Sequence, residues 1–217
     1  MLNYTWFYNT SFKIKIMKKV LLAISSAPNK DSNSAVLLEH FCEGAEFAGV
    51  RVERVFLYDL SLSYFNYGNR RAEPPDESGN KDVRTMEKLI MGADGLVIAA
   101  PVWNFSIPAV LKNLLDRMSY FALVYKKEGD VRKTGSLNHL NCFYIMTTGA
   151  QWFAWIVDRI AYLQLKRTMW YFGAKNRGLL KAHHCGNGSQ NVVKDRPNLL
   201  KKAYREGVRF GKVLMNS

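Results

Sequence analysis

Short apolar runs alternate with segments of helical spacing along this chain, and the alternation repeats five times. The runs at 20–24, 95–100 and 140–146 are almost unbroken in apolar residues. That is how a parallel strand buried on both faces reads, whereas a half-exposed strand alternates. Residues 51–57 alternate through Val52, Val55 and Leu57, and 178–183 form a fifth strand-like run. Helical spacing covers 34–48, 82–93, 108–121, 152–172 and 197–215. In the first of these, Val36, Leu37, His40, Phe41 and Ala45 fall near one face, and Gly49 follows as a stop signal. Pro108 stands at an early helical position, where its missing N–H costs little. A β-α series of this kind predicts a parallel sheet covered by helices on both faces. Right-handed crossovers make it doubly wound, and five strands favour the order 2-1-3-4-5. Ligands then sit at the carboxyl ends of strands one, three and four.

At 217 residues and 48% hydrophobic content the chain suits one well-filled domain. Residues 1–16 are rich in aromatics and Asn and make a poor signal peptide. We read 17–217 as the domain, with either Met17 as the natural start or 1–16 as an appended extension. No run of about 18 apolar residues is present, so no membrane span is expected. Cys42, Cys142 and Cys185 are odd in number and widely spaced, which argues against a disulfide framework and for a reducing, cytoplasmic setting. The net charge of +13 attracts anions, with nucleic acid or a phosphate-bearing cofactor as the candidates. The basic residues are scattered rather than clustered, as on a solvated surface, and no helix-turn-helix or RNA-binding signature accompanies them, so no nucleic-acid partner is expected.

Three loops fall where a ligand would sit. After strand one, residues 25–34 read Ser-Ser-Ala-Pro-Asn-Lys-Asp-Ser-Asn-Ser and lead into a helix N-terminus. Its free N–H groups and dipole suit a phosphate, with Ser26, Ser32 and Ser34 adding hydroxyls and Asn33 an amide. The same serines would equally serve as helix caps. Neither Gly-x-Gly-x-x-Gly nor a Walker A motif is present, which favours a mononucleotide over a dinucleotide or ATP at this loop. After strand three come Pro101, Val102, Trp103, Asn104, Phe105, Ser106, Ile107 and Pro108. After strand four come Thr147, Thr148, Gly149 and Ala150, on their own an ordinary turn.

Residues 97–117 read Val-Ile-Ala-Ala-Pro-Val-Trp-Asn-Phe-Ser-Ile-Pro-Ala-Val-Leu-Lys-Asn-Leu-Leu-Asp-Arg. This segment resembles the FMN-dependent NADH:quinone oxidoreductases, or azoreductases, and the wider flavodoxin-like NAD(P)H:quinone reductases. Their pattern here is Pro-x-[Tyr/Trp]-Asn-Phe-x-Ile-Pro-x-x-Leu-Lys-x-x-x-Asp. The resemblance runs from Met17 to the fifth strand and is weak after Ala150, which stands where relatives carry a second glycine.

The resemblance implies a flavodoxin-like α/β fold that binds FMN, with NADH or NADPH as electron donor. It implies a phosphate site at Ser26, Ser32, Asn33 and Ser34. The isoalloxazine would lie against Pro101, Val102, Trp103, Asn104 and Phe105, with Thr147, Thr148, Gly149 and Ala150 on its other flank. Trp103 as plain core packing is the competing reading. The implied reaction is a ping-pong two-electron reduction of quinones, azo compounds or flavins by a homodimer, with basic residues around the mouth favouring NAD(P)H phosphates. The flavin carries that chemistry, so no catalytic side chain or metal is needed.

Tyr125 and Lys126 lie where relatives place an aromatic near the dimer's active site. Trp152, Phe153 and Trp155 either line an acceptor site or pack a helix. His183, His184 and Cys185 lack spaced partners and point alternately to opposite faces, which is unlike a metal site. The absence of cysteine from 61–81, read as a long surface loop, excludes the iron–sulfur variants of the family. A flavodoxin-type electron carrier fits less well, because the Thr/Ser-x-Thr-Gly-x-Thr loop is missing and the chain is basic. A basic binding module rests on charge alone.

Overall fold

Five parallel strands run in the order β2-β1-β3-β4-β5 in a computed structural model of the chain, which describes residues 19–65, 81–122, 135–150, 153–186 and 191–217. They are β1 (Val20–Ser25), β2 (Arg51–Phe56), β3 (Gly95–Pro101), β4 (Asn141–Thr147) and β5 (Lys175–Ala182). The helices are α1 (Asn33–Phe47), α2 (Lys81–Gly92), α3 (Ala109–Arg117), α4 (Ala154–Tyr171) and α5 (Pro197–Met215). This is the predicted flavodoxin-like arrangement.

The three central strands are the three unbroken apolar runs. β4 is buried at every position, and β1 and β3 at all but one. Each contributes to two cores, one per face of the sheet. Ile24, Ile98 and Tyr144 pack with α2, α3 and α4, while Ala23, Val97 and Phe143 pack with α1 and α5. Phe143 meets Phe41 and Phe210 at ring-centroid distances of 4.7 and 5.9 Å. α1 and α5 approach closely through glycines: a Cβ on Gly207 would lie 1.9 Å from the Phe41 carbonyl oxygen.

Three element readings change. β5 begins at Lys175, three residues before the expected start at Gly178. Lys175, Asn176 and Arg177 are exposed on an edge strand and carry no apolar signal, and Gly178 is an interior position that makes room for the Phe143 ring. The second strand stops at Phe56, and Leu57 opens a 3-10 turn through Asp59. The buried face of α1 is rotated from the expected one: Leu38 and Cys42 are buried, whereas Val36 and His40 are partly exposed, because this helix is covered by α5 as well as by the sheet.

Of the long loop expected over 61–81, residues 61–65 run along α3. Asn113 Oδ1 accepts from the Phe65 N–H at 2.8 Å, and Arg117 Nη1 donates to the Ser63 carbonyl at 3.1 Å. Residues 1–16 and Met17, the rest of that loop, Tyr125, Lys126, Trp152 and the side chain of Trp155 lie outside the described residues. Among the described residues, no helix is long and apolar enough to cross a membrane.

Candidate active site

The loops after β1, β3 and β4 converge on one cavity of about 590 Å³ at the carboxyl edge of the sheet. Its lining includes Ser32, Asn33 and Ser34, then Pro101, Val102, Trp103, Asn104 and Phe105, then Thr147, Thr148, Gly149 and Ala150. Twelve of the thirteen residues singled out from sequence therefore share one space. Ser26 stands apart. It is buried, its hydroxyl donates to the Ala99 carbonyl at 3.1 Å, and it is not part of the lining.

The first loop ends in a built helix start. Ser32 is the N-cap, its Oγ accepting from the Ala35 N–H at 3.3 Å, and Ser34 Oγ lies 3.4 Å from Ser32 Oγ. Capping and anion binding are compatible here, because a cap uses the serine as acceptor and leaves its proton available. No acidic residue occupies the first turn of α1, although Asp31 stands just before the N-cap. Asn33 is used otherwise than expected. Its amide Nδ2 donates to the Cys185 carbonyl at 3.0 Å, and its Oδ1 accepts from the Val193 N–H at 3.1 Å. Asn33 thus ties α1 to the segments that follow β5.

The second loop is a two-residue turn. The Trp103 N–H donates to the Ser106 carbonyl at 3.0 Å, and the Ser106 N–H returns to Trp103 at 2.9 Å. The central residues have positive φ, 47° at Asn104 and 64° at Phe105. Asn tolerates that region, but Phe there is an outlier. The turn thrusts its aromatics outward: Trp103 is 41% exposed and Phe105 is 52% exposed. Trp103 is therefore a rim residue and does not pack the core. Phe105 stacks near Phe153 at the start of α4, centroids 6.3 Å apart. The Ser106 hydroxyl holds the turn to α4 by donating to Gln164 Oε1 at 2.8 Å.

The third loop is buried at Thr147 and Thr148, emerges at Gly149, and is tightly bonded. The Val102 N–H donates to the Thr147 carbonyl, the Thr148 N–H to Ala182, and the Ala150 N–H to Thr148 Oγ1. Among the described residues, the peptide N–H groups of Asn104, Phe105 and Gly149 have no acceptor in the protein. They are donors available to a ligand edge.

Sequence reasoning missed Val157 on α4 and the wall formed by Cys185 and Gly186. The wall follows β5, whose end was misread only slightly, and the signal lay in strand order: β5 neighbours β4, so its loop borders the third one. The Cys185 thiol is buried and donates to the Ala182 carbonyl at 3.4 Å, and burial pushes its pKa up despite the nearby Arg196. His183 is held by Asp158, so the His183–Cys185 stretch is spoken for by the protein itself. No described lining residue is charged.

A family model described as NADPH-dependent FMN reductase matches residues 19–150. An FMN-dependent NADH:quinone oxidoreductase of Clostridium beijerinckii is 30% identical over 137 residues, covering 62% of this chain and 67% of that protein. An FMN reductase (NADPH) of Pseudomonas putida is 28% identical over 121 residues, 56% of this chain and 57% of that one. Among solved structures, an NAD(P)H:quinone oxidoreductase from Methanothermobacter marburgensis superposes with a TM-score of 0.67 at 23% identity, covering 89% of this chain and 99% of the other. An azoreductase from Bacillus anthracis superposes with a TM-score of 0.63 at 20% identity, covering 89% and 98%. At those identities the structural likeness speaks for the fold, while the family match spans more than half of the sequence and includes all three loops. The chain belongs to the NADPH-dependent FMN reductase family.

Proposed function

We propose that this chain holds FMN in the cavity between its three loops and uses NADH or NADPH to reduce quinones or azo compounds. The observation that carries the reading is the convergence of twelve motif residues on one uncharged cavity beside a helix N-terminus. The relatives' names point the same way.

The donor set fits FMN. A phosphate would meet the first turn of α1 with the hydroxyls of Ser32 and Ser34, where orphan N–H groups and dipole favour negative charge. Val102, Trp103 and Phe105 would supply an apolar wall, and the unbonded N–H groups of Asn104, Phe105 and Gly149 would face the ring's polar edge. About 590 Å³ lies within the range of small-molecule pockets. Bound there, FMN would supply the two-electron chemistry that links NAD(P)H to the acceptor, in what we read as a ping-pong cycle. The exposed Trp103 and Phe105, with Phe153 beside them, offer flat apolar surface for the nicotinamide and then for a planar acceptor, flavins included.

A homodimer belongs to the same reading. Ile156, Ile160, Trp170 and Tyr171 share one face of α4 and are each at least 40% exposed. That face continues from Phe153 and Val157 of the cavity, so a second copy there would border the site.

The test is the visible spectrum of the purified protein under anaerobic conditions. The reading expects flavin bands that bleach on adding NADH or NADPH and return on adding a quinone. A colourless protein that takes up no added FMN refutes it.

A further inference from the structure

We propose that Asp158 and Arg196 are positioning residues that hold the cavity wall at Cys185 and Gly186, an assignment that rests on the FMN-site reading above. Asp158 is the only charged residue fully buried among the described residues, at 1% exposure. A carboxylate so placed is unfavourable unless paired. Its Oδ2 accepts from His183 Nε2 at 2.8 Å and is ion-paired with Lys181 Nζ at 3.1 Å, while its Oδ1 is buried without a partner. A hydrophobic side chain would serve packing better there. What the carboxylate adds is a grip on the His183 side chain.

The backbone of the same segment is gripped from elsewhere. Arg196, just before α5, donates from Nη1 to the His183 carbonyl at 2.6 Å and from Nη2 to the His184 carbonyl at 2.7 Å. At these anchors and just beyond them the chain turns left-handed. His184 has φ of 55°, which costs a residue with a side chain, and Gly186 has φ of 65°, which glycine adopts freely. That shape brings Cys185 and Gly186 into the cavity lining. The wall is also keyed to the other loops. The Cys185 N–H donates to the Thr148 carbonyl at 3.0 Å, and the Cys185 carbonyl accepts from Asn33 at 3.0 Å. A Cβ on Gly149 would lie 2.4 Å from the Gly186 carbonyl oxygen, so displacement of 183–186 disturbs the third loop directly. The Asp158–His183 contact and the Arg196 fork together keep a strained turn in register with the helix start and the loop after β4.

The experiment compares Asp158→Ala, Asp158→Asn and Arg196→Gln with wild type. Three quantities are read: thermal unfolding of the FMN-free protein, the rate of Cys185 alkylation in that protein by mass spectrometry, and FMN affinity with the visible circular dichroism of bound flavin. Asp158→Ala and Arg196→Gln should each speed Cys185 alkylation and weaken FMN binding, both by about tenfold. The flavin dichroism should change while unfolding stays cooperative. Asp158→Asn keeps an acceptor for His183 and should recover wild-type behaviour to within about threefold. A purely structural role would lower the melting temperature and leave alkylation and affinity of the folded protein unmoved, and that result overturns the proposal. Should Asp158→Ala fail to fold, Arg196→Gln alone decides it by the same two readouts. Faster alkylation in variants of a wild type that binds no FMN would sustain the anchoring and defeat the FMN reading instead.

Discussion

Replacing Phe105 by glycine and by alanine separates two roles that meet at one residue. Phe105 has φ of 64°, and Asn104 before it has φ of 47°. A bulky L-residue in the left-handed region costs about 1–2 kcal/mol. Glycine would recover that strain but lose about 0.5–1 kcal/mol through the greater freedom of the unfolded chain. The ring itself is 52% exposed, so its burial contributes about 1 kcal/mol, and its stacking near Phe153 adds about 0.5–1 kcal/mol. Both substitutions lose the ring, and only glycine regains the backbone strain. Phe105→Gly should therefore be more stable than Phe105→Ala by roughly 0.5–1 kcal/mol, the reverse of the order at an ordinary position. Urea unfolding of the FMN-free proteins measures this. Both variants should bind FMN about tenfold more weakly, since loss of one apolar wall residue is worth about 1.4 kcal/mol. Alanine at least as stable as glycine would refute the strained turn. Wild-type FMN affinity in the glycine variant would refute the wall.

Gly149→Ala places a Cβ 2.4 Å from the backbone oxygen of Gly186, a clash that no rotamer relieves, and should cost about 1–3 kcal/mol of stability in denaturant unfolding along with most of the FMN affinity. The thiols of Cys42, Cys142 and Cys185 all have pKa values raised by burial, so the folded chain keeps protons that the unfolded chain releases near the ordinary value of 9.0. Their contribution is complete below that pH and is lost above it, at about 1.4 kcal/mol per pH unit for each of Cys42 and Cys142, or roughly 3 kcal/mol per unit together, with Cys185 acting in the same direction. Urea midpoints between pH 8 and 10.5 read the slope, Cys142→Ala should remove about a third to a half of it, and a flat profile contradicts the account. Ile160→Glu, on the exposed face of α4, should convert a dimer into a monomer in analytical ultracentrifugation, and a wild type already monomeric at micromolar concentration would discard that interface.

The central strands were legible because burial on both faces confines polar residues to the strand ends: β4 reads Asn-Cys-Phe-Tyr-Ile-Met-Thr and every position is buried. Edge strands were harder, since Lys175–Arg177 pair on one side only and look like loop. The lining was legible at the start of α1, where serines precede a helical run, and at the other two loops through the resemblance carried by residues 97–117. Ser26 and Asn33 show the limit of that logic. Both have suitable donors in a suitable loop, yet Ala99 and Cys185, 73 and 152 residues away in sequence, take those donors. Partners at that separation leave no trace in local spacing. Cys185 and Gly186 were missed for the same reason, because only the adjacency of β4 and β5 makes them part of a wall.

The charge of the chain and the character of the cavity point in opposite directions. The whole sequence carries +13, yet no described lining residue is charged. Much of the basic charge sits in outward-facing pairs, such as Arg54 with Glu39 and Glu46 or Lys112 with Asp116, and on the exposed side of α5 at Lys201, Lys202 and Arg205. Such charge sets the long-range field that draws anions in. It does not select among them once they arrive. Inside the proposed site a phosphate meets a helix dipole worth about half a charge, whose influence fades within one turn. An arginine or lysine would reach several positions and accept a phosphate in many poses. A helix start rewards only the pose that places the phosphate on its axis, and with that end fixed the ring of the same ligand must reach the Trp103–Phe105 turn. On the proposed reading, discrimination rests on the distance and angle between two loops at one sheet edge, so the anchors of the remaining wall would matter as much as the residues that touch the ligand.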